Sequence, residues 1–530
     1  MRLCRVLCIC VLMPVLFSIA ATAQQRRGEG RPPAPAASPS PASSEQAGKP
    51  ATPPAEAKKE TPEQPPVITH HEIHVGGKTL RYTATAGMMP LKNADTGETE
   101  AHIFYVAYTL DGQQPERRPL TFSFNGGPGS ASVWLHLGAI GPKRVRMQPD
   151  GMMPAPPYQL VDNEYTWLDQ TDLVFIDPVG TGYSRAVKRD QTKKFLGLRG
   201  DIASVGEFIR LYLGRYERWS SPLFMVGESY GTTRAAGLSG YLVEHGVAFN
   251  GTILISSILN FETTDFTPGN DLPYILFLPS YADIAWYHKK QPPDLEQDFA
   301  KMRAEVEQWA AGPYADALAK GDRLTPQDRQ DVIDHLARYL GLSKTYIDES
   351  NLRIDEGHFT KELLRDQRKT VGRLDGRFTG TSRSAVGETA SFDPSMSAIR
   401  PPYTAMFNQY VRTELGYKSD LEYYILGGGF RFDEWDWDVQ RGGFPDTAQA
   451  LKDAFDKNPF MKLFVGSGYF DLATPYFATQ YTLNHMNLDA DQHKRISLGY
   501  YGAGHMMYIQ DSSLGELKKD VGTFMANALK

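Results

Sequence analysis

The chain has 530 residues, 41% hydrophobic and 22% charged, ordinary proportions for a globular protein large enough to bury a substantial core. Its formal charge is −6 with no basic stripe, which argues against a nucleic-acid partner. All three cysteines (Cys4, Cys8, Cys10) fall in the first ten residues, so nothing after them can form a disulfide, a thiolate metal site or a cysteine nucleophile.

Arg2 and Arg5, a largely apolar run over 6–19, and the small residues of Ala21-Thr22-Ala23 make up the three regions of a secretory signal peptide. Cleavage is expected after Ala23. Fourteen residues are too few for a bilayer span, which needs about 20. The product is therefore expected to be periplasmic or secreted, with no stable membrane span once residues 1–23 are removed. Residues 24–66 hold eleven prolines and no aromatic, and cannot bury enough apolar surface to offset the entropy of ordering them. They read as a disordered Pro/Ala-rich linker, either a tether from an envelope surface or a tail without a role.

The folded part is expected over 67–530. Runs at 70–75, 80–87 and 101–110 alternate apolar and polar residues between turn signals, as in antiparallel strands. His70, His71, Glu72 and His74 invite a metal reading, but they lack further partners and fit an exposed first strand. Later runs at 120–127, 172–180, 223–229, 251–259 and 461–471 are continuously apolar and end at Gly, Asp or Ser. Strands buried on both faces of a parallel sheet look like this. Helical patterns at 203–219 and 232–246 lie between them, so the fold class is α/β, a sheet with helices on both faces. From about 265 to 424 strand signals vanish and charged helical patterns take over, which reads as an inserted, mainly helical cap. Phe430 to Trp437 interleaves aromatics with acids and reads as the packing of the cap's return strand.

Gly227-Glu228-Ser229-Tyr230-Gly231 sits between an expected strand and an expected helix. That is the setting of a nucleophile elbow, where glycines permit a turn too sharp for side chains and Ser229 is pushed out at its tip. A serine needs a base, and the base needs a group to orient it; on this fold the order is Ser, acid, His. Of the histidines after the elbow, His505 alone lies in a glycine-rich loop, Gly502-Ala503-Gly504-His505, following an apolar run. Asp471 ends the strand before it. Ser229, Asp471 and His505 are therefore the expected triad. Asn125-Gly126-Gly127-Pro128-Gly129 follows another strand, and its backbone amides can approach a developing oxyanion because no Cβ intervenes. No Walker pattern is present.

FNGGPGSAS at 124–132, NEYTWLDQTDLVFIDPVGTGYS at 163–184, GESYGTTR at 227–234, GYFD at 468–471 and GAGHM at 502–506 occur in this order. Together they resemble the serine carboxypeptidases, secreted α/β-hydrolases that remove residues from peptide C-termini. The resemblance spans 119–506 and is weakest in the cap. It implies an α/β-hydrolase fold, peptide substrates with a free C-terminus, and no metal or cofactor. It places the N–H groups of Gly127 and Tyr230 in the oxyanion hole. Asn125, Gly126 and Glu228 would bind the substrate's terminal carboxylate, with Met506 bordering that subsite. A glutamate beside a carboxylate is favourable only when one of the two is protonated.

Two departures from the family pattern stand out. Ala139 occupies the position of a second glutamate in many members, so one carboxylate-binding group is missing and a pH optimum nearer neutral is expected. Ser130 stands where the family usually has cysteine, which suggests a cysteine-free, bacterial-type branch. The same fold and triad also serve esterases and acyltransferases. A catalytically weak envelope binding protein is the alternative from another class. The sequence leaves the oligomeric state open.

Overall fold

Alternation along the first strands and unbroken apolar runs in the later ones build a single mixed sheet. The computed structural model describes residues 63–439 and 443–530. The expected signal peptide and most of the linker lie outside the described residues. Strands β1 (Val67–Val75), β2 (Lys78–Lys92) and β3 (Thr99–Leu110) form an antiparallel meander. β1 alternates in burial, and its histidines lie on an exposed edge strand. β4 (Leu120–Phe124) is followed by an outlying hairpin, β5 (Lys143–Val145) with β6 (Leu160–Asp162). β7 (Asp172–Ile176) returns to the sheet, and β8 (Arg185–Ala186) adds a short pairing to β3. β9 (Leu223–Ser229) and β10 (Gly251–Ser257) complete the first half of the sheet.

After the insertion, which contains the short pair β11 (Lys369–Val371) and β12 (Thr379–Thr381), come β13 (Lys462–Gly468) and β14 (Ile496–Tyr501). The sheet runs β1-β2-β3-β7-β4-β9-β10-β13-β14, parallel from β7 onward. The structure thus has the expected fold class. β4, β7 and β10 are buried along their whole length, because helices cover both faces. Phe224 and Val226 of β9 join Phe175, Ile253 and Phe464 in one core. Leu223 and Met225, pointing the other way, join Val174, Leu254 and Leu463 in the second. Parallel register brings the C-terminal ends of β4, β9, β10 and β13 to one edge: Phe124 faces Gly227, and Ile255 faces both Glu228 and Gly466. Ser229 ends β9 there, Asn125 and Asp471 lie in the loops after β4 and β13, and His505 follows the neighbouring parallel strand β14.

The insertion between β10 and β13 has its own core of Phe277, Tyr281, Val306, Leu336 and Phe359, which also takes in Phe470 and Leu472 from the loop after β13. The stretch read as a mainly helical cap also contains β11 and β12, each three residues long and too short to register as alternation. One expectation needs correction. The aromatic segment near Phe430 is a loop with a short 3₁₀ turn at Phe432–Glu434, not a return strand. Its Trp435 is buried edge-on against Tyr230 at 5.4 Å, so the segment packs on the residue after Ser229. Among the described residues no helix is long and apolar enough to cross a membrane.

Candidate active site

Ser229 is the last residue of β9, and Tyr230 opens the helix Tyr230–Glu244. The serine has φ 59° and ψ −133°, a backbone region that costs a non-glycine residue about 1–3 kcal/mol and persists only where its surroundings impose it. Two glycines do so. A Cβ on Gly227 would stand 2.1 Å from the Gly231 carbonyl oxygen, and one on Gly231 would press on the Asn125 backbone at 3.0 Å. Gly-x-Ser-x-Gly is therefore a packing requirement of this turn.

The loop after β4 lies directly on the elbow. A Cβ on Gly126 would come within 2.5 Å of the Tyr230 nitrogen and 2.7 Å of the Glu228 carbonyl oxygen. Gly127 and Gly129 hold φ near +103° and +95°, where L side chains are strained. Arg234, on the helix after Ser229, donates from Nη1 to the Asn125 carbonyl at 2.7 Å and from Nε to Asp201 at 2.7 Å. Arg234 and Asp201 are both almost fully buried. The far end of the loop is fixed by Asp177, which accepts from the Ser132 N–H and Oγ–H at 2.8 Å each. Burial pushes the Asp177 carboxyl up to about 6. Ser130 accepts from the Trp134 indole at 2.8 Å and donates to the carbonyls of Ala131 and Ile425.

His505 Nδ1 donates to Asp471 Oδ2 at 2.8 Å. Asp471 is fully buried and also accepts from the N–H groups of Ala473 (2.7 Å) and Thr474 (3.1 Å) and from the Thr474 hydroxyl (2.8 Å). Those donors hold the carboxylate aimed at Nδ1, which leaves Nε2 to act as a base. Burial disfavours the imidazolium, but the charge and hydrogen bond of Asp471, helped by Glu228, outweigh it and hold His505 above its ordinary value. The histidine's own backbone is tied at both ends: its N–H donates to the Leu374 carbonyl at 2.6 Å, and its carbonyl accepts from Ser256 Oγ at 2.6 Å.

Ser229 and His505 line one cavity of about 140 Å³ with Asn125, Gly126, Gly127, Glu228 and Met506. Tyr230 is buried beside them, its hydroxyl donating to Asp201 at 3.1 Å. Glu228 is 4% exposed, and burial pushes its carboxyl up to about 7 against the opposing pull of the His505 charge and the Tyr508 and Asn125 dipoles. Tyr508 donates its hydroxyl to Glu228 Oε2. Asn125 accepts the Leu135 N–H through Oδ1, while its buried Nδ2 reaches no acceptor with hydrogen-bond geometry among the described residues. It lies close enough to Glu228 to favour the charged carboxylate all the same. Ala139 is fully buried in the turn His136–Ile140 and does not line the cavity.

Sequence reasoning missed three features. Tyr508 sits three residues after His505 and supplies the direct contact to Glu228. Arg373 lines the cavity from the insertion. The β11–β12 loop, residues 372–378, is threaded between the acid and histidine loops: Leu472 donates to the Arg373 carbonyl at 3.0 Å, Gly504 to Asp375 at 3.0 Å, and Arg377 to the Gly502 carbonyl at 3.0 Å. No periodicity announces such a contact, because it joins loops far apart in sequence.

Residues 78–263 match the family model described as serine carboxypeptidase. Over that stretch the chain is similar to the serine carboxypeptidases. Serine carboxypeptidase-like 7 of Arabidopsis thaliana is 30% identical over 136 residues, 25% of this chain and 30% of that protein. Pheromone-processing carboxypeptidase KEX1 of Saccharomyces cerevisiae is 32% identical over 159 residues, 27% of this chain and 20% of that protein. The chain thus matches only about a third or less of the length of these relatives. Over the fold the likeness is longer: the crystal structure of the prohormone-processing carboxypeptidase KEX1 from the same yeast covers 84% of this chain and 91% of its own, at 16% identity and a TM-score of 0.51. That likeness carries the α/β-hydrolase fold. The serine carboxypeptidase match takes in the glycine loop and the elbow, whereas Asp471, His505 and most of the insertion lie beyond it.

Proposed function

We propose that this protein is an exported serine carboxypeptidase that releases C-terminal residues from peptides through an acyl-enzyme on Ser229. The observation that carries the reading is the company Ser229 keeps. A carboxyl group pushed up to about 7, Glu228, and the buried amide of Asn125, whose Nδ2 meets no acceptor with hydrogen-bond geometry among the described residues, line the cavity that also holds His505. Neither is needed to activate a serine. Both suit a substrate carboxylate, the amide as a donor and the protonated acid as a second one.

In this scheme His505 Nε2 takes the Ser229 proton as Oγ attacks the scissile carbonyl. Asp471 holds the Nδ1–H and stabilises the imidazolium. The oxyanion is received by the N–H groups of Gly127 and Tyr230. Collapse breaks the C–N bond, and His505 returns its proton to the departing amine. Water, deprotonated by the same nitrogen, then attacks the ester and frees the second product and Ser229. Asn125, Gly126, Glu228 and Met506 surround the departing residue. Export rests on the signal-like residues 1–23, and N-terminal sequencing of protein from the periplasm or medium should begin at Gln24.

Matched peptides ending in a free acid or an amide test the reading. A hydrogen bond to a charged group is worth roughly 1.5–3 kcal/mol, so amidation is expected to lower kcat/KM about 10- to 100-fold at mildly acidic pH. Equal rates would instead favour an esterase or acyltransferase of the same fold.

The glycine loop gives a second expectation. Gly126→Ala puts a methyl against the backbone of Tyr230 and Glu228, which cannot move aside without undoing the elbow. Displacing the oxyanion donors should cost about 10²–10³-fold in kcat with a folded protein. Steady-state kinetics beside a thermal melt would check it, and an unchanged kcat would place the oxyanion donors elsewhere.

A further inference from the structure

Arg234 and Asp201 form an ion pair whose side chains are 1% and 2% exposed, although charged groups are the costliest to take out of water. Such a pair is seldom more stabilising than apolar side chains of the same volume, so its charge calls for another purpose. No step of the scheme above uses either residue. Neither lines the cavity around Ser229.

The groups that the pair touches supply the purpose. Arg234 belongs to the helix Tyr230–Glu244 and Asp201 to the helix Leu198–Arg215. The guanidinium donates from Nε to Asp201 Oδ2 and from Nη1 to the Asn125 carbonyl, both at 2.7 Å. The same Asp201 oxygen accepts the Tyr230 hydroxyl at 3.1 Å. The guanidinium carbon also stands 5.1 Å from the centre of the Phe124 ring and 5.3 Å from that of Tyr230. One buried charge pair thus ties together two chain segments, Asn125–Gly127 and Tyr230, whose N–H groups receive the oxyanion in the proposed scheme.

These segments need a tie from outside. The Asn125 carbonyl lies in the peptide plane that leads into Gly126 and Gly127, two residues whose torsions no Cβ limits. The Gly126 carbonyl accepts from the Ser130 N–H at 3.1 Å, a bond within the loop itself. The Tyr230 nitrogen comes within 2.5 Å of the place a Gly126 Cβ would take, so the two segments touch. A rotation of the Asn125–Gly126 peptide would therefore alter the spacing of the two donors. Such donors are effective only when fixed in advance. A planar guanidinium held at Nε by a carboxylate has the direction of its Nη1 fixed, which a lysine ammonium would not.

We propose that Arg234 is a positioning residue that sets the geometry of the oxyanion donors, bracing the Asn125 carbonyl directly and Tyr230 through Asp201. The proposal rests on the acyl-enzyme reading of Ser229. The test uses the full-length protein with peptides and with simple acyl esters, which have no terminal carboxylate. Arg234→Met combined with Asp201→Asn removes the pair as a unit, leaving no unpaired buried charge and an amide to accept the Tyr230 hydroxyl. The double variant is expected to lower kcat about 10²-fold on both substrates with KM nearly unchanged. A peptide boronic acid, whose tetrahedral adduct on Ser229 puts an oxygen where the oxyanion forms, should lose affinity by the same factor as kcat/KM. Arg234→Lys keeps a donor without the fork and should retain part of kcat.

A lower melting temperature with kcat and boronate affinity unmoved would show a merely structural pair and overturn the assignment. So would a loss confined to KM for free-acid peptides, which would place the bond in carboxylate recognition by Asn125. Ester hydrolysis by the wild type without release of C-terminal residues from peptides would sink the carboxypeptidase reading, and the ester kinetics then decide the role of Arg234. Peptide trimming with boronate affinity unmoved by the double variant would overturn the Arg234 assignment alone. If the double variant does not fold, Arg234→Lys decides: kcat and boronate affinity falling together at constant KM support the assignment, and unchanged values overturn it.

Discussion

Replacing Ser229 by alanine is expected to lower kcat by about 10⁶-fold while leaving the fold intact, and Asp471→Asn by about 10⁴-fold. The two losses have different physical origins. Alanine removes the proposed nucleophile but tolerates the same φ of 59° that serine does, so a thermal melt should scarcely change. Asparagine fits the Asp471 pocket, and its carbonyl can still accept from Ala473 and Thr474. Its amide, however, would then face His505 Nδ1, now 2.8 Å from a carboxylate oxygen. A donor there imposes the tautomer with hydrogen on Nε2, and the base is lost while the geometry survives. Single-turnover measurements with an activated ester separate acylation from the melt. Near-native turnover by the Ser229→Ala protein on both peptides and esters would show that the nucleophile lies elsewhere.

Residues of this candidate site were legible in the sequence where chemistry requires a local pattern. The elbow glycines are needed because Gly227 and Gly231 meet backbone, and that requirement appears as Gly-x-Ser-x-Gly at fixed spacing. The strands that position the loops were legible too, because two-faced burial demands unbroken apolar runs such as Asp172–Ile176 and Gly251–Ser257. Contacts between loops were not. The β11–β12 loop meets the histidine loop through main-chain carbonyls and the Asp375–Arg377 pair, and any sequence able to form a short turn could present such carbonyls. Tyr508 was missed for a related reason. A tyrosine three residues past His505 reads as core packing, and it is buried; only the placement of Glu228 gives its hydroxyl a purpose. The aromatic loop near Trp435 misled because apolar residues spaced for a strand are equally suited to covering Tyr230.

In the proposed scheme Glu228 sets the pH behaviour. Burial raises its carboxyl to about 7, so below that value it is protonated and can donate to a substrate carboxylate that is itself ionised. Above it, two negative charges share a buried site, and KM for free-acid peptides should rise about tenfold per pH unit if the protonated form is the one that binds. Amidated peptides should lack this limb. At the acid side the limit is His505, whose pKa lies above its ordinary value, so kcat falls as pH drops through that value and the imidazole is protonated. The two groups interact, and the apparent values of the bell belong to the pair. Glu228→Gln should then do two things. It keeps a donor, so the alkaline limb for free acids disappears. It also removes a charge that favours the imidazolium, so the acid limb moves to lower pH. Tyr508→Phe acts in the other direction, because the phenol's hydrogen bond favours ionised Glu228; losing it raises the carboxyl further and carries the alkaline limb to higher pH. The measurement is kcat and KM from pH 5 to 9 for matched acid and amide peptides in all three proteins. An alkaline limb unmoved by both substitutions would assign carboxylate recognition to another group.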